Sequence, residues 1–323
     1  MASPPIESPA LSALAAASRD WIGDSPTGAM LSTMRAFQSV AANDASLLRQ
    51  AADSLSPRHP GSTAWIAVGL GTLVERGAAA EVTGPAIFEQ MKAWLPSLPV
   101  PPADVDEPPP VPTPDEAMRL AQFQFLCQSV VTHLAHLPEQ RAQWGRDETL
   151  LERLDALGGY SYGACWVREA LLKSSGTLVL LHPESGQGLR LRYANVSNCF
   201  HLFTLLQTAV GTRIPGGRSR TGPVTQVDEA WWHYGSPLSK QADVQASIWG
   251  EGLVRDIPRV AGEQTILLWP LRIGRAWDAG FLGPNLLAMP ADASVERMLT
   301  DDESRALLEL LEIPARRKRW WPF

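Results

Sequence analysis

The stretch "RYANVSNCFHLFTLLQTAVG" sets a cysteine and a histidine two residues apart, Cys199 and His201, just after Ser197. A thiol with an adjacent imidazole is the minimal pair for nucleophilic catalysis, provided the two reach hydrogen-bonding distance. At about 100° per residue, Leu202, Phe203, Leu205, Leu206, Ala209 and Val210 share an arc with Cys199. His201 falls about 200° away, with Thr204, Gln207 and Thr208. The pair cannot meet across one helix. Cys199 is therefore expected in the core, in a helix capped by Ser197 or Asn198.

"VTHLAH" places His133 and His136 three apart on one helix face, a spacing at which two imidazoles can share a metal. Neighbouring turns supply no acid as a third ligand, so solvent or interface histidines are expected and no metal is assigned. "GTRIPGGRSRTGP" gathers Arg213, Arg218 and Arg220 around glycines. Such a loop can turn backbone N–H groups and guanidinium forks toward an anion. It lacks the spacing of a phosphate loop, and it follows a helix C-terminus, the negative end of the dipole.

The most unusual region holds Trp231, Trp232, His233, Tyr234, Trp249, Trp269 and Trp277. Aromatic rings with polar tips suit interfaces and pockets, so Trp231, Trp232, Tyr234, Trp249 and Trp277 are candidate partner- or ligand-binding residues, with Arg218 and Arg220 beside them. Glu251 lies between two glycines and Asp278 follows Trp277. With His233 these carboxylates make a weaker catalytic set for a hydrolase. The end of the sequence, "IPARRKRWWPF", joins four basic residues to Trp320, Trp321 and Phe323, a combination that can dock on protein or on an acidic membrane surface.

The elements that must position these residues follow from periodicity and punctuation. Residues 25–95 show helical spacing, as in Met30, Met34, Phe37 and Ala41, with Gly/Pro turns between helices. They predict an antiparallel bundle or repeat-like helical domain behind a flexible N-terminus at 1–24. "PSLPVPPADVDEPPPVPTPDE" is a Pro-rich spacer, so 96–114 is expected to be a linker. Residues 115–315 begin with helices, then change pattern. "TLVLLHPESGQGLRLRYAN" predicts a β-hairpin with Arg190 and Arg192 on one face, "GEQTILLWPL" a strand, and "TDDESRALLELLEI" a closing helix. The fold class is α+β: a helical N-terminal domain, a spacer, an α+β domain with a hairpin and small sheet, and a basic-aromatic tail at 316–323.

Composition bounds the rest. The 323 residues can bury a sizeable core without metal or disulfide staples. Three widely spaced cysteines are no disulfide framework, which points to a reducing cytoplasm. The N-terminus lacks the basic start of a signal peptide, and no apolar run is long enough to span a membrane. A formal net charge of −6 argues against nucleic acid as the partner. The Ala/Arg/Pro-rich composition suggests a bacterial source. The expectation is a cytoplasmic, non-catalytic interaction or scaffold protein without a cofactor. It would bind another protein through the Trp-rich region and the tail, with peripheral membrane contact through the tail as a variant. The alternative is a hydrolase built on His233, Glu251 and Asp278.

Overall fold

The computed structural model describes residues 8–23, 25–100, 110–219, 226–239, 247–278 and 288–313. The chain forms a mostly helical N-terminal region followed by a mixed α/β region with an open sheet. It divides into two compact units, Met1–Leu171 with Leu282–Met289, and Leu172–Phe281 with Pro290–Phe323.

The first unit holds helices α1 (Pro9–Ser18), α2 (Gly28–Ala41), α3 (Ala45–Asp53), α4 (Pro60–Glu75), α5 (Ala80–Trp94), α6 (Pro114–His136), α7 (Pro138–Trp144), α8 (Glu148–Leu157) and α9 (Tyr162–Leu172). Helix α1 lies within the expected flexible N-terminus, and its Leu11 and Leu14 are buried. Asp44 separates α2 from α3 without a Gly or Pro by capping the second: its side chain accepts from the N–H groups of Ser46 and Leu47. α4 is buried on nearly all sides, as suits a central helix. It packs on α6, and a Cβ at Gly71 would lie 3.1 Å from the Cα of Ser129, so glycine allows that close approach. α5 also packs on α6. Helices before and after the Pro-rich stretch thus share one unit, and the second unit begins at Leu172. Residues 101–109 of that stretch lie outside the described residues.

The second unit is built on strands β1 (Ser174–His182), β2 (Gln187–Val196), β3 (Gln226–Val227), β4 (Trp232–Gly235), β5 (Arg259–Val260), β6 (Glu263–Pro270), β7 (Trp277–Asp278) and β8 (Asp292–Met298). The main sheet runs β4-β6-β1-β2-β8, with β5 also on β6; β3 and β7 form a separate pair. The hairpin β1–β2 forms as expected, and β1 with β6 is parallel. Alternation along the strands separates two cores. Leu178, Leu180, Ile266 and Leu268 face helix α10 (Cys199–Val210). Val179, Leu181, Leu267 and Trp269 face helix α11 (Asp301–Leu310), which contributes Leu307 and Leu308. Arg190 pairs opposite Val179 and Arg192 opposite Thr177, so both arginines lie on the α11 face. Each has a carboxylate there, Arg190 with Glu263 and Arg192 with Glu296.

Candidate functional site

Helix α10 starts where expected. Asn198 is its cap, its side chain accepting from His201 N–H at 2.8 Å. Cys199 is 1% exposed, and burial, with Asp256 nearby, pushes its thiol up to about 12. It stays protonated at neutral pH and is a packing residue, not a nucleophile. His201 is half-buried, and burial with the adjacent Lys173 lowers its pKa. The polar side of the helix is less wet than its residue types suggest, since Thr204 and Gln207 are buried. Thr204 Oγ1 accepts from Trp277 Nε1–H at 3.0 Å and donates to Phe200 O at 2.9 Å.

A loop closes over the helix N-terminus. Cys199 N–H donates to Gly252 O at 2.9 Å, Phe200 N–H to Gly250 O at 2.8 Å, and Val254 N–H to Ser197 O at 2.8 Å. The first-turn amides are thereby paired with carbonyls. Gly250 is required there, since a Cβ would collide with the Phe200 ring. The loop holds Trp249 outward, 69% exposed, and Glu251 is also exposed.

The other candidate rings are core. Trp231, Trp232, Tyr234, Trp269 and Trp277 are all buried. Tyr234 stacks on Phe203 at 4.0 Å between centroids, and Trp277 stacks on Phe200 at 5.5 Å. Two of the polar tips end on internal carbonyls: Trp232 Nε1–H donates to Pro215 O at 2.7 Å, and Tyr234 O–H to Phe203 O at 3.3 Å. Rings whose donors end on internal carbonyls hold together an irregular region. Of the five aromatic candidates in this region, Trp249 alone is exposed.

His233, Glu251 and Asp278 stand on separate elements: β4, the loop over α10, and β7, where Asp278 pairs opposite Gln226. No His/Glu/Asp cluster and no metal-holding group of His, Cys, Asp or Glu forms among the described residues. The neighbour that sequence reasoning missed is Ser247, whose Oγ lies 3.1 Å from His233 Nε2. Its bridge to Gly235 creates this proximity, and no local motif announces it.

The arginine loop is partly described. Arg213 Nη1 donates to Ala209 O and Val210 O, closing the C-terminus of α10. Arg218 pairs with Glu229 at 2.7 Å, both exposed. Arg220, Trp320 and Trp321 lie outside the described residues.

On α6, His133 departs from the expectation of a solvent or interface histidine, while His136 is half-buried. His133 is 0% exposed. Its Nδ1 lies 2.7 Å from Ser129 O, which can only accept, so Nδ1 carries the proton. Nε2 then accepts from the Thr83 hydroxyl at 2.7 Å. Burial lowers its pKa to about 4, with His136 adding to the shift, so the ring is neutral at physiological pH. It joins α5 to α6 as a core hydrogen-bonding residue.

No helix among the described residues is long and apolar enough to cross a membrane. Searches of protein-family models, curated proteins and solved structures found no match to this chain.

Proposed function

We propose that this chain is a non-catalytic interaction or scaffold module of a bacterial cytoplasm, docking another protein through Trp249 and the basic-aromatic tail at 316–323. The supporting observation is the exposure of Trp249 on a loop tied to α10 and to Ser197 just before it by three backbone hydrogen bonds. A large ring held outward on a fixed loop loses little conformational freedom on binding, which is the character of an interface anchor. The test is quantitative affinity enrichment with the full chain, with Trp249→Ala and with residues 316–323 deleted. The expected result is one enriched protein that each change depletes. An enriched set unchanged by both alterations rejects the reading, and recovery on acidic liposomes instead assigns the tail to a membrane surface.

A second reading, a hydrolase using His233, draws support from the 3.1 Å approach of Ser247 Oγ to His233 Nε2. In that chemistry the serine oxygen bonds to a substrate carbonyl carbon while the imidazole takes its proton and delivers it to the leaving group. Water then releases the acyl group. A fluorophosphonate probe should label Ser247 in the native chain and fail to do so in His233→Ala. Absence of labelling in the native chain removes this alternative.

A further inference from the structure

The first unit holds a cavity of about 320 Å³ where α4, α5 and α6 come together. Its walls include Pro57 and Pro60 at the start of α4, Trp94 and Leu98 at the end of α5, and Arg119 of α6. Prolines present no N–H, so with Leu98 and the Trp94 ring they make much of this wall carbon. Internal hydrogen bonds fix the wall. Arg153 Nη2 donates to Leu95 O and to Leu98 O, both at 2.8 Å, and Ser97 Oγ donates to Trp94 O at 2.8 Å.

Two donor groups in this wall lack a matching acceptor. Trp94 is 5% exposed, and its Nε1–H is closed to solvent and has no hydrogen-bond partner among the described residues. A buried donor left unpaired costs free energy that an incoming acceptor restores. Arg119 is exposed and has no carboxylate in ion-pair distance among the described residues. Its Nη1 makes a long contact of 3.4 Å with Ser97 O, and the rest of its fork is uncommitted. Glu116, three residues back on α6, is held instead by Thr113, through N–H at 2.8 Å and Oγ1–H at 2.7 Å. No acidic side chain lies among the described lining residues.

We infer that this cavity is a binding site for a small aromatic carboxylate, whose oxygens take the Arg119 guanidinium and the Trp94 Nε1–H while its ring lies against Pro57, Pro60 and Leu98. An arginine alone is a solvated cation, and a carbon wall alone selects no headgroup. Together with an orphan N–H they call for an anionic acceptor on an apolar body. Guanidinium and carboxylate match as planar forks. A phosphate would bring more charged oxygens than these two groups can satisfy, against carbon that solvates none of them. The volume is at the lower end of the range for ligand pockets, roughly 300–1,000 Å³, which suits a single-ring acid rather than a dinucleotide.

The probe is benzoate, titrated into the full chain labelled with nitrogen-15. The Trp94 indole N–H resonance is identified by its loss in Trp94→Phe. It should move downfield and saturate as it gains an acceptor, with the roughly millimolar affinity open to so small a ligand. Benzamide keeps the ring without the charge, and acetate keeps the charge without the ring; each should bind about tenfold more weakly or worse. Arg119→Gln should weaken benzoate by about tenfold or more. Arg119 is exposed, so that variant should keep the other indole resonances and its melting temperature. Trp249→Ala should leave benzoate binding unchanged, which separates this cavity from the docking loop. The inference is overturned by a Trp94 resonance that benzoate does not move, by benzamide binding as well as benzoate, by acetate binding as well as benzoate, or by binding indifferent to Arg119→Gln.

Discussion

At the scale of single residues, His133 carries the clearest consequence for stability. Its folded pKa is lowered to about 4, while an unfolded histidine titrates near 6.5. Above pH 6.5 neither state is protonated, so the group adds no pH dependence. Between about 6.5 and 4 the unfolded chain binds a proton that the folded chain refuses, so stability falls as pH drops, by about 3 kcal/mol in all. Below about pH 4 both states are protonated and the loss levels off. Urea midpoints at pH 7.5 and 4.5 should therefore separate more for the natural chain than for His133→Gln, and equal separations would show that His133 does not control the loss. Cys199 makes a second residue-scale test. Cys199→Ser should cost about 1–2 kcal/mol by placing a hydroxyl in an apolar core, and a thiol reagent should modify half-buried Cys165 before Cys127 or Cys199. The position of Cys199 was legible because its apolar neighbours repeat at helical spacing. The burial of Thr204 was not, because its cover is Trp277, 73 residues along the chain. The same limit applies to the tryptophans. A ring type suits an interface or a core equally, and only the long-range packing around it decides.

At the scale of elements, legibility follows the range of the forces. Helices α10 and α11, the hairpin β1–β2 and strand β6 carry their own periodicity and punctuation, and each forms within about three residues of expectation. Strands β3, β4, β5 and β7 are two to four residues long and exist because a distant strand or its neighbour across a tight turn offers hydrogen bonds. The β5–β6 turn is an instructive case. Val260 pairs with Glu263, leaving a two-residue loop in which Ala261 has φ 48° and Gly262 has φ 85°. That is the geometry in which Asn-Gly is preferred, and alanine bears the left-handed strain at its first position. Ala261→Asn or Ala261→Gly should raise stability by about 0.5–1 kcal/mol, seen as a higher melting temperature. The loop over α10 behaves oppositely. Gly250→Ala drives a methyl into the Phe200 ring and should cost about 1–3 kcal/mol, because either the ring or the paired backbone must move. It should also disturb the presentation of Trp249, so loss of partner enrichment in Gly250→Ala at a temperature where it remains folded would link loop geometry to docking.

At the scale of the whole molecule, the Pro-rich stretch and the division into units are different things. Proline density is a local property and can be read from composition, whereas packing across the stretch is non-local. α4 and α5 come before it and α6 after it, yet they pack together, with Ser129 of α6 close against Gly71. Side chains beyond the stretch also fix the backbone at its start. Arg153 Nη2 donates to Leu95 O and to Leu98 O, both at 2.8 Å, and Arg119 Nη1 donates to Ser97 O at 3.4 Å. A cut between these partners breaks one covalent bond and leaves the buried helix faces in place. A protease site engineered into 101–109 should therefore give two fragments on a denaturing gel and one co-eluting species on native gel filtration. Because the pieces are held by apolar burial as well as hydrogen bonds, co-elution should survive high salt and fail only in denaturant. The cut chain should melt at a lower temperature that depends on concentration, since reassociation becomes bimolecular. Fragments that separate in native buffer would instead make residues 25–95 an independent domain and the stretch a true interdomain linker.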